Sequence, residues 1–426
     1  MGKELPAPDT VVAVTPGWPF IDMWSDEYNE RNLELLKDLR ENYDLAFHRQ
    51  GNTTVPLVTR YKDLWKIHRD WRTFQSGRAA SHLADRRYDD PNDTPVFIPL
   101  DTDPPVHSEW RQIIEPLMTL KKMEAHSELI EGIADDLLAG LEGRTSFKVM
   151  DEFVRPMQAR AIFAAILGVP ADSDRILQFS EWAQDALIVP ERAVDAFASL
   201  SGALLEILQE RRENPRGDDD VVTVLSSCRP GGEVPEDGDL IKVLIALTLG
   251  GHESTGTVLS GTIHHMATHP DDLKELQDDM SLLDEAIEEA LRLFVNVTLT
   301  QRTVTKETTL NGYDLKPGDK IWNLPGSANR DESVFPDADS WDVHRENKRH
   351  VSFGAGIHRC LGSNLARIFL RVAFTSVLTR MPGIALAPDQ TIETHSMPTR
   401  GLTEFVVTVD EITPAPAVRW SARSQH

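Results

Sequence analysis

The sequence of 426 residues contains only two cysteines, Cys228 and Cys360. So few thiols exclude a disulfide framework and favour a reducing compartment. The sequence also lacks an apolar run of about eighteen residues, which a membrane-spanning helix would need. Its first residues lack the hydrophobic segment of a signal peptide. We therefore expect no membrane insertion and a cytoplasmic location.

Basic residues are scarce relative to acidic ones. Lysine and arginine together number 44 against 68 aspartates and glutamates, which gives a formal net charge of −24. Nucleic-acid binding depends on a basic surface that neutralises phosphates, so this balance argues against a nucleic-acid partner. It also disfavours anionic membranes.

The sequence has no Pro/Gly/Ser-rich linker, no low-complexity tract and no internal repeat. At 40% hydrophobic residues, it can bury a large core. We therefore expect one compact domain over residues 1–426, with flexible ends at 1–15 and 413–426.

Most of the sequence shows apolar residues at the three- and four-residue spacing of helices. Strand signals are short and include a hairpin around an Asn-Gly turn. The pattern predicts a mainly α fold with small β-sheets. Helices are predicted over residues 30–43, 61–69, 129–141, 153–167, 193–212, 238–268 and 283–293, and strands over 45–48, 55–59, 308–315 and 405–409.

The most informative segment is residues 353–362, where Cys360 lies on a glycine-rich loop before a predicted helix. A thiolate is a strong, soft metal ligand, and glycines at 354, 356 and 362 allow close approach and unusual backbone angles. The alternative is a structural cysteine, which is the usual role of a buried free thiol. A dinucleotide loop is excluded because no strand-Gly-x-Gly-x-x-Gly pattern with a ribose-binding acid is present.

A second segment places Gly250 and Gly251 inside the longest predicted helix, followed by Glu253, Ser254 and Thr255. Each glycine costs a helix interior roughly 1 kcal/mol relative to alanine, so the pair suggests a function. A local opening of the helix would make room for a small ligand such as dioxygen. Close helix packing is the alternative, although it does not explain the adjacent acid and hydroxyl groups.

Several histidines follow on the same helix, namely His252, His264, His265 and His269. They do not form a His-Glu-x-x-His pattern, and no third ligand accompanies the pair one turn apart. Solvated or core histidines are therefore a better interpretation than a metal cluster.

Residues 353–362 resemble the heme-binding loop of the cytochrome P450 family, Phe-Gly-x-Gly-x-His-x-Cys-x-Gly, at every fixed position. Residues 250–254 resemble its oxygen-activation segment, with Ser254 where threonine is common. Residues 103–111 resemble its Asp-Pro-Pro-x-His-x-x-x-Arg motif. The resemblance extends from about Pro16 to Val409 and keeps the motifs in the family's order.

A further pair, Glu289 and Arg292, matches the family's Glu-x-x-Arg motif, and Arg345 matches its third partner, with Trp341 in place of phenylalanine. Alone, such a pair on a helix surface is common and contributes roughly 0.2–0.5 kcal/mol. The resemblance implies a buried structural network near the cysteine loop, not a catalytic role.

The resemblance implies a single triangular cytochrome P450 fold and a b-type heme, with the Cys360 thiolate as the iron ligand. We expect Ser254 to hydrogen-bond the activated oxygen and Glu253 to gate protons, with Gly250, Gly251 and Thr255 in the same segment. Taken alone, each cation near the heme would be an ordinary surface residue. The expected heme-contacting residues are His107, Arg111, Arg302, Phe353, Gly354, His358, Cys360 and Gly362.

The implied reaction inserts one atom of O2 into a small to medium hydrophobic substrate, with electrons from NAD(P)H through a ferredoxin reductase and a ferredoxin. Arg111, Arg359 and Arg367 are expected to form a basic patch for the ferredoxin. Residues 77–95 are expected to form a mobile lid. The positions expected to face the substrate are Pro95, Phe97, Leu100, Ala246, Leu249, residues 295–300, Met397 and Pro398.

Other heme-thiolate activities remain as alternatives from the sequence: a peroxygenase, an isomerase or a dehydratase. The acid and hydroxyl at 253 and 254 favour oxygen activation over these. A peroxide-using member of the family would more often show Arg-Pro in that helix. A heme module that only binds a ligand would not need the acid and hydroxyl.

Overall fold

The computed structural model shows a mainly helical protein with small sheets, as the sequence predicts. The predicted lid and the predicted flexible ends lie almost entirely outside the described residues. Within the described part of the chain, no helix is both long and apolar enough to cross a bilayer. The described residues are 18–50, 53–77, 96–189, 191–217, 219–397 and 399–414.

The helices begin where local capping allows. Ser25 caps the first helix by accepting a hydrogen bond from the Tyr28 N–H at 3.1 Å, and Asp220 caps a later one through Thr223 N at 2.7 Å. The helices are α1 (Asp26–Asn42), α2 (Tyr61–Arg69), α3 (Val106–Ile114), α4 (Leu120–Glu124), α5 (Ser127–Ala139), α6 (Arg155–Leu167), α7 (Asp174–Ile188), α8 (Ala193–Glu213), α9 (Val221–Ser227), α10 (Asp237–Thr268), α11 (Pro270–Asp278), α12 (Leu283–Leu293), α13 (Pro325–Ala328) and α14 (Ser363–Arg380).

The strands form one mixed sheet and smaller ones. The largest sheet has the order β1-β2-β3-β9-β6-β4, and the others are β10-β13-β5, β11-β12 and the predicted hairpin β7-β8. The strands are β1 (Phe20–Ile21), β2 (Ala46–Gln50), β3 (Thr53–Val58), β4 (Phe74–Gln75), β5 (Ser146–Lys148), β6 (Thr300–Val304), β7 (Thr308–Leu310), β8 (Tyr313–Leu315), β9 (Lys320–Asn323), β10 (Ala385–Leu386), β11 (Thr394–His395), β12 (Gly401–Leu402) and β13 (Val406–Thr408).

Helix α10 runs through the main hydrophobic core, which also contains α5, α6 and α14. Glycines let its neighbours approach closely. A Cβ atom at Gly256 would lie 1.6 Å from Gln158 Oε1, and one at Gly261 would lie 2.6 Å from the Phe294 ring. The helix is therefore held in one position and presents the segment around Gly250 at a fixed place.

Every predicted helix is present, but α4, α7, α9, α11 and α13 were not predicted from the sequence. Helix α9 contains Val-Val-Thr-Val, a β-branched run that favours strands in isolation. Its buried residues Val221, Val222 and Leu225 pack into the main core, which outweighs that preference. The predicted strand at 405–409 is present as β13 and pairs with both β5 and β10.

Candidate functional site

The loop before α14 depends on glycine at two positions. Gly354 and Gly356 have φ values of 65° and 72°, in the left-handed region that side chains disfavour. A Cβ atom at Gly356 would also lie 2.2 Å from the carbonyl oxygen of His68. Gly362 is different, because its φ of −79° suits any residue. The expectation of an unusual backbone there is wrong, and a Cβ would instead lie 3.9 Å from the Cys360 sulfur.

Cys360 lies deep in the protein, yet its side chain is exposed. A side chain that is both deep and accessible borders an internal space. The Cys360 N–H donates to the carbonyl of Phe353 at 2.9 Å, which closes the loop. Burial raises the pKa of the Cys360 thiol, while the Gly362 N–H and nearby arginines act in the opposite direction.

The aromatic ring at the start of the loop is fixed from one side by a cation. The Arg367 guanidinium lies 4.7 Å from the centre of the Phe353 ring. Arg367 also donates two hydrogen bonds to Glu288, at 2.6 and 2.9 Å. His350 lies 3.2 Å from the same carboxylate. Burial alone would raise the pKa of Glu288, but Arg367 and His350 together lower it to about 2.

Arg111 connects α3 to the loop. Its Nη1 donates to the carbonyl oxygen of Arg359 at 2.8 Å, and its Nε donates to Glu115 at 2.7 Å. Because carboxylates neutralise both Arg111 and Arg367, these residues do not form the expected basic patch with Arg359.

Two histidines meet beside the loop. The rings of His107, on α3, and His358 lie edge to face with centroids 4.4 Å apart. Both ring nitrogens of His107, and Nε2 of His358, are buried without a hydrogen-bond partner among the described residues. Burial, with the neighbouring His358 and Arg111, lowers the pKa of His107 to about 4, so its imidazole is neutral at pH 7.

Arg302, on β6, lies beside these histidines and is only 4% exposed. Its Nη1 donates to the carbonyl of Gln301 at 2.7 Å. Burial lowers its pKa to about 10, against the attraction of Asp103 and Asp101. Asp103 lies 3.7 Å from His358 Nε2, an ion-pair distance that is too long for a hydrogen bond.

Helix α10 is continuous through Gly250 and Gly251, so the expected local opening is wrong. Ser254 Oγ donates to the Gly250 carbonyl at 2.9 Å, and Thr255 Oγ1 donates to the Gly251 carbonyl at 3.1 Å. At Gly251, close packing explains the residue, because a Cβ would lie 2.9 Å from Ile162. Gly250 has no neighbour within 4 Å of a Cβ and is exposed, so it borders open space.

Glu253 lies among positively charged and imidazole side chains. Its Oε1 is 3.5 Å from Nδ1 of His252, and its side chain is 16% exposed. Burial would raise the pKa of Glu253, but His252, His395 and Arg155 hold it below its ordinary value. The carboxyl group is therefore ionised at neutral pH despite its depth.

The predicted structural network is present and buried. Glu289 Oε1 lies 2.7 Å from Arg292 Nη2 and 3.2 Å from Arg345 Nε. Arg292 also donates to the carbonyl of Asn329 at 2.9 Å. The Asn329 side chain in turn donates to Ser352 Oγ at 2.7 Å, directly before the loop. This chain of bonds holds the segment that enters the cysteine loop.

These features fit a heme. The Cys360 sulfur lies at the edge of an internal space, where it would be the thiolate ligand of a heme iron. The unpartnered nitrogens of His107 and His358 and the buried Arg302 are suited to the two carboxylates that heme carries. Gly250, on α10, leaves room where a side chain would take up space. Within the described ranges, no three His, Cys, Asp or Glu residues cluster to hold a metal ion by themselves.

The sequence did not mark His68 as a site residue, and it gave Asp103 only as part of a motif. His68 supports the loop through its backbone and places Nε2 3.1 Å from Thr300 Oγ1. Asp103 accepts hydrogen bonds from the Ser76 and Gly77 N–H groups. Each of these contacts joins residues far apart in sequence, so no local pattern predicts the contacts themselves.

Comparisons with known proteins agree with the geometry. The sequence profile of the family described as Cytochrome P450 matches residues 14–382. Cytochrome P450 107B1 of Saccharopolyspora erythraea is 32% identical over 363 residues, covering 82% of this chain and 88% of that protein. Vitamin D(3) 25-hydroxylase of Pseudonocardia autotrophica is 32% identical over 364 residues, covering 83% and 88% respectively.

Solved structures give the same result. The structure of cytochrome P450 CYP109Q5 from Chondromyces apiculatus matches with a TM-score of 0.83 at 26% identity, covering 93% of this chain and 99% of that chain. The chain therefore belongs to the cytochrome P450 family and is a heme-thiolate monooxygenase.

Proposed function

We propose that the protein binds a b-type heme through Cys360 and oxidises a small to medium hydrophobic substrate with O2. The exposed thiol at a deep position is the observation that supports this most directly. When bound, the heme supplies the reductive activation of O2, in which one oxygen atom enters the substrate and the other leaves as water. The rest of the chain holds the cofactor, excludes water and supplies protons.

We assign the heme carboxylates to His107, Arg302 and His358. A neutral imidazole donates one N–H, and Arg302 contributes a fixed positive charge. Arg111, which pairs with Glu115, holds the loop through the Arg359 carbonyl. Phe353, Gly354 and Gly362 shape the loop on the sulfur side, where a bulkier or more polar residue would alter the surroundings of the thiolate. The heme-contacting set is His107, Arg111, Arg302, Phe353, Gly354, His358, Cys360 and Gly362.

We assign proton delivery to Glu253 and Ser254, with Gly250 leaving space for dioxygen. Ser254 donates its proton to the Gly250 carbonyl, so its oxygen lone pairs remain available to accept a hydrogen bond from water. The hydroxyl must rotate away from that carbonyl before it can donate to oxygen. Thr255 is buried and bonded to the Gly251 carbonyl, which makes it the less accessible hydroxyl.

The Ser254 assignment predicts a specific uncoupling. We expect Ser254→Ala to lower the product formed per NADH consumed by roughly tenfold, because general acid catalysis loses a donor. Ser254→Thr should keep the wild-type ratio, since it keeps the hydroxyl. An unchanged ratio in Ser254→Ala would remove Ser254 from proton delivery. Substrate binding, followed by the spin-state change of the heme, checks that the pocket is intact.

The substrate is proposed to be apolar. Phe97 packs against Phe197 with ring centroids 6.1 Å apart, and Leu249 is in the main core. Ala246 is half-buried, whereas Leu299 and Met397 lie in a separate cluster beneath α1. Pro95 and Pro398 lie outside the described residues. The relatives include proteins named vitamin D(3) 25-hydroxylase and mycinamicin IV hydroxylase/epoxidase, which are names of enzymes that oxidise organic molecules.

We propose that electrons come from NAD(P)H through a ferredoxin reductase and an acidic ferredoxin. Because Arg111 and Arg367 are each paired with a carboxylate, we assign the ferredoxin contact to the exposed cations Arg69, Arg72 and Arg359. Arg69 and Arg72 belong to α2 and the turn after it, beside the loop supported by His68. Charge reversal of Arg72 should raise the KM for ferredoxin without changing substrate binding. A cytoplasmic location is consistent with the two free cysteines.

A further inference from the structure

His252 bridges two helices in the interior. Its ring belongs to α10 and is 2% exposed. Nε2 lies 2.7 Å from Ser180 Oγ, on α7, and Nδ1 lies 3.5 Å from Glu253 Oε1. Phe163 covers one side, with ring centroids 5.7 Å apart. The imidazole is thus in contact with a hydroxyl on one side and a carboxylate on the other.

The two nitrogens of an imidazole have different roles when the ring is neutral. One carries a proton and donates, while the other accepts. Glu253 is ionised, so its carboxylate favours a proton on Nδ1 of His252. Nε2 then accepts from the Ser180 hydroxyl. Nδ1 is buried and has no hydrogen-bond partner among the described residues, so it is available to the Glu253 oxygen 3.5 Å away.

The other groups facing Glu253 come from two further elements. His395 lies on β11, and Arg155 begins α6. Arg155 forms an ion pair with Asp151. Nε2 of His395 is buried without a hydrogen-bond partner among the described residues. Among the described residues, His252 therefore connects Glu253 to the Ser180 hydroxyl, whereas Nε2 of His395 has no hydroxyl partner.

We propose that Ser180 and His252 form a proton relay that recharges Glu253. A proton passes from Ser180 Oγ to Nε2, the Nδ1 proton passes to the Glu253 carboxylate, and Ser180 regains a proton from solvent. To restore the starting tautomer, the ring rotates, Nε2 releases a proton to solvent and Nδ1 takes one up from solvent, and no electrons are moved. The inference rests on the proposed function, because it supplies the protons that Glu253 passes on.

The relay exists only while α7 packs against α10, since Ser180 and His252 belong to different helices. Proton supply therefore depends on the position of α7. Ser180 is half-buried, which places it between the interior and solvent. His252 acts through Glu253 and is not itself a catalytic residue.

The decisive variant is His252→Gln. Glutamine can donate and accept hydrogen bonds but cannot relay a proton, so it separates a relay from a structural bridge. We expect product per NADH to fall by roughly tenfold and the solvent isotope effect on turnover to increase. His264→Gln is the matched control, because His264 lies on the same helix but packs against Phe405. The His264→Gln variant should keep the wild-type product per NADH and the wild-type solvent isotope effect.

Ser180→Ala removes the outer link and tests the relay even if His252→Gln does not fold. We expect it to reproduce the loss of coupling, while Ser180→Thr restores it. Wild-type coupling and isotope effect in Ser180→Ala would overturn the relay. Wild-type coupling in a folded His252→Gln protein would also overturn the relay.

A second readout does not depend on turnover. Nitrogen NMR of 15N-histidine-labelled protein, as the reduced carbon monoxide complex, should show His252 protonated at Nδ1 and shifted by Ser180→Ala. An unshifted signal would overturn the hydrogen-bonded chain. If the wild type gave no thiolate-type carbon monoxide complex, the proposed function would fail instead. The same NMR comparison on the protein as purified would then still decide whether the chain exists.

Discussion

His107 and His358 lie edge to face, 4.4 Å apart, and between them bury three ring nitrogens that have no hydrogen-bond partner among the described residues. His107 belongs to the start of α3, and His358 belongs to the cysteine loop. Buried imidazoles normally find partners, because an unmet hydrogen bond in the interior is costly. Their arrangement is explained if the carboxylates of the heme complete it.

The first prediction concerns His107. A hydrogen bond to a charged group contributes about 1.5–3 kcal/mol, so His107→Ala should release heme roughly tenfold faster or more. Heme transfer to an excess of apomyoglobin measures this rate. His344→Ala is the control, because His344 pairs with Glu275 on the surface. Equal rates for the two variants would show that His107 does not hold the cofactor.

The second prediction concerns the loop backbone. Gly356→Ala forces a side chain into a left-handed residue, at a cost of about 1–2 kcal/mol before the contact with the His68 carbonyl is counted. We expect a clear loss of thermal stability and of heme content. Gly132→Ala, in α5 with no neighbour near the added Cβ, should be neutral or stabilising. A neutral Gly356→Ala would contradict the loop geometry.

The third prediction concerns the network behind the loop. Glu289→Gln leaves Arg292 and Arg345 buried without a counter-charge, which should lower the free energy of unfolding by about 3–5 kcal/mol. Urea unfolding measures the change. Glu285→Gln, whose partner Lys348 is partly exposed, should cost less than about 1 kcal/mol. Similar losses in both would mean that the network is not buried in solution.

The fourth prediction concerns acid stability. The folded-state pKa of Glu288 is about 2, below its ordinary value, so its contribution to stability is complete above about pH 5 and is lost as the pH falls toward 2. That contribution is at most about 3 kcal/mol. In Glu288→Gln, the free energy of unfolding should therefore fall less steeply between pH 5 and 3. Parallel curves for wild type and variant would contradict the shifted pKa.

The sequence predicts most of the helices, because apolar residues at three- and four-residue spacing mark them wherever one face is buried. It also marks Cys360, since the residues around the sulfur lie together in one loop. It cannot show that α10 stays continuous at Gly250 and Gly251. In the structure, Ile162 lies against Gly251 and the Ser254 hydroxyl bonds to the Gly250 carbonyl, and neither contact can be read from the sequence.

The sequence also does not show which charged side chains are paired. Arg111 and Arg367 read as free cations in the sequence, because their partners Glu115 and Glu288 belong to no recognised motif. Helix α7 was missed, and with it Ser180. Its contact with His252 joins positions 72 residues apart. Long-range pairing of this kind leaves no local pattern.

The most direct test of the central claim is the carbon monoxide difference spectrum of the reduced protein. Thiolate ligation by Cys360 predicts a Soret band at the long-wavelength position that characterises the family. Cys360→Ala should lose that band while the fold persists. A wild-type band at the shorter wavelength typical of histidine-ligated heme, or no heme band, would contradict the assignment of Cys360 as the iron ligand.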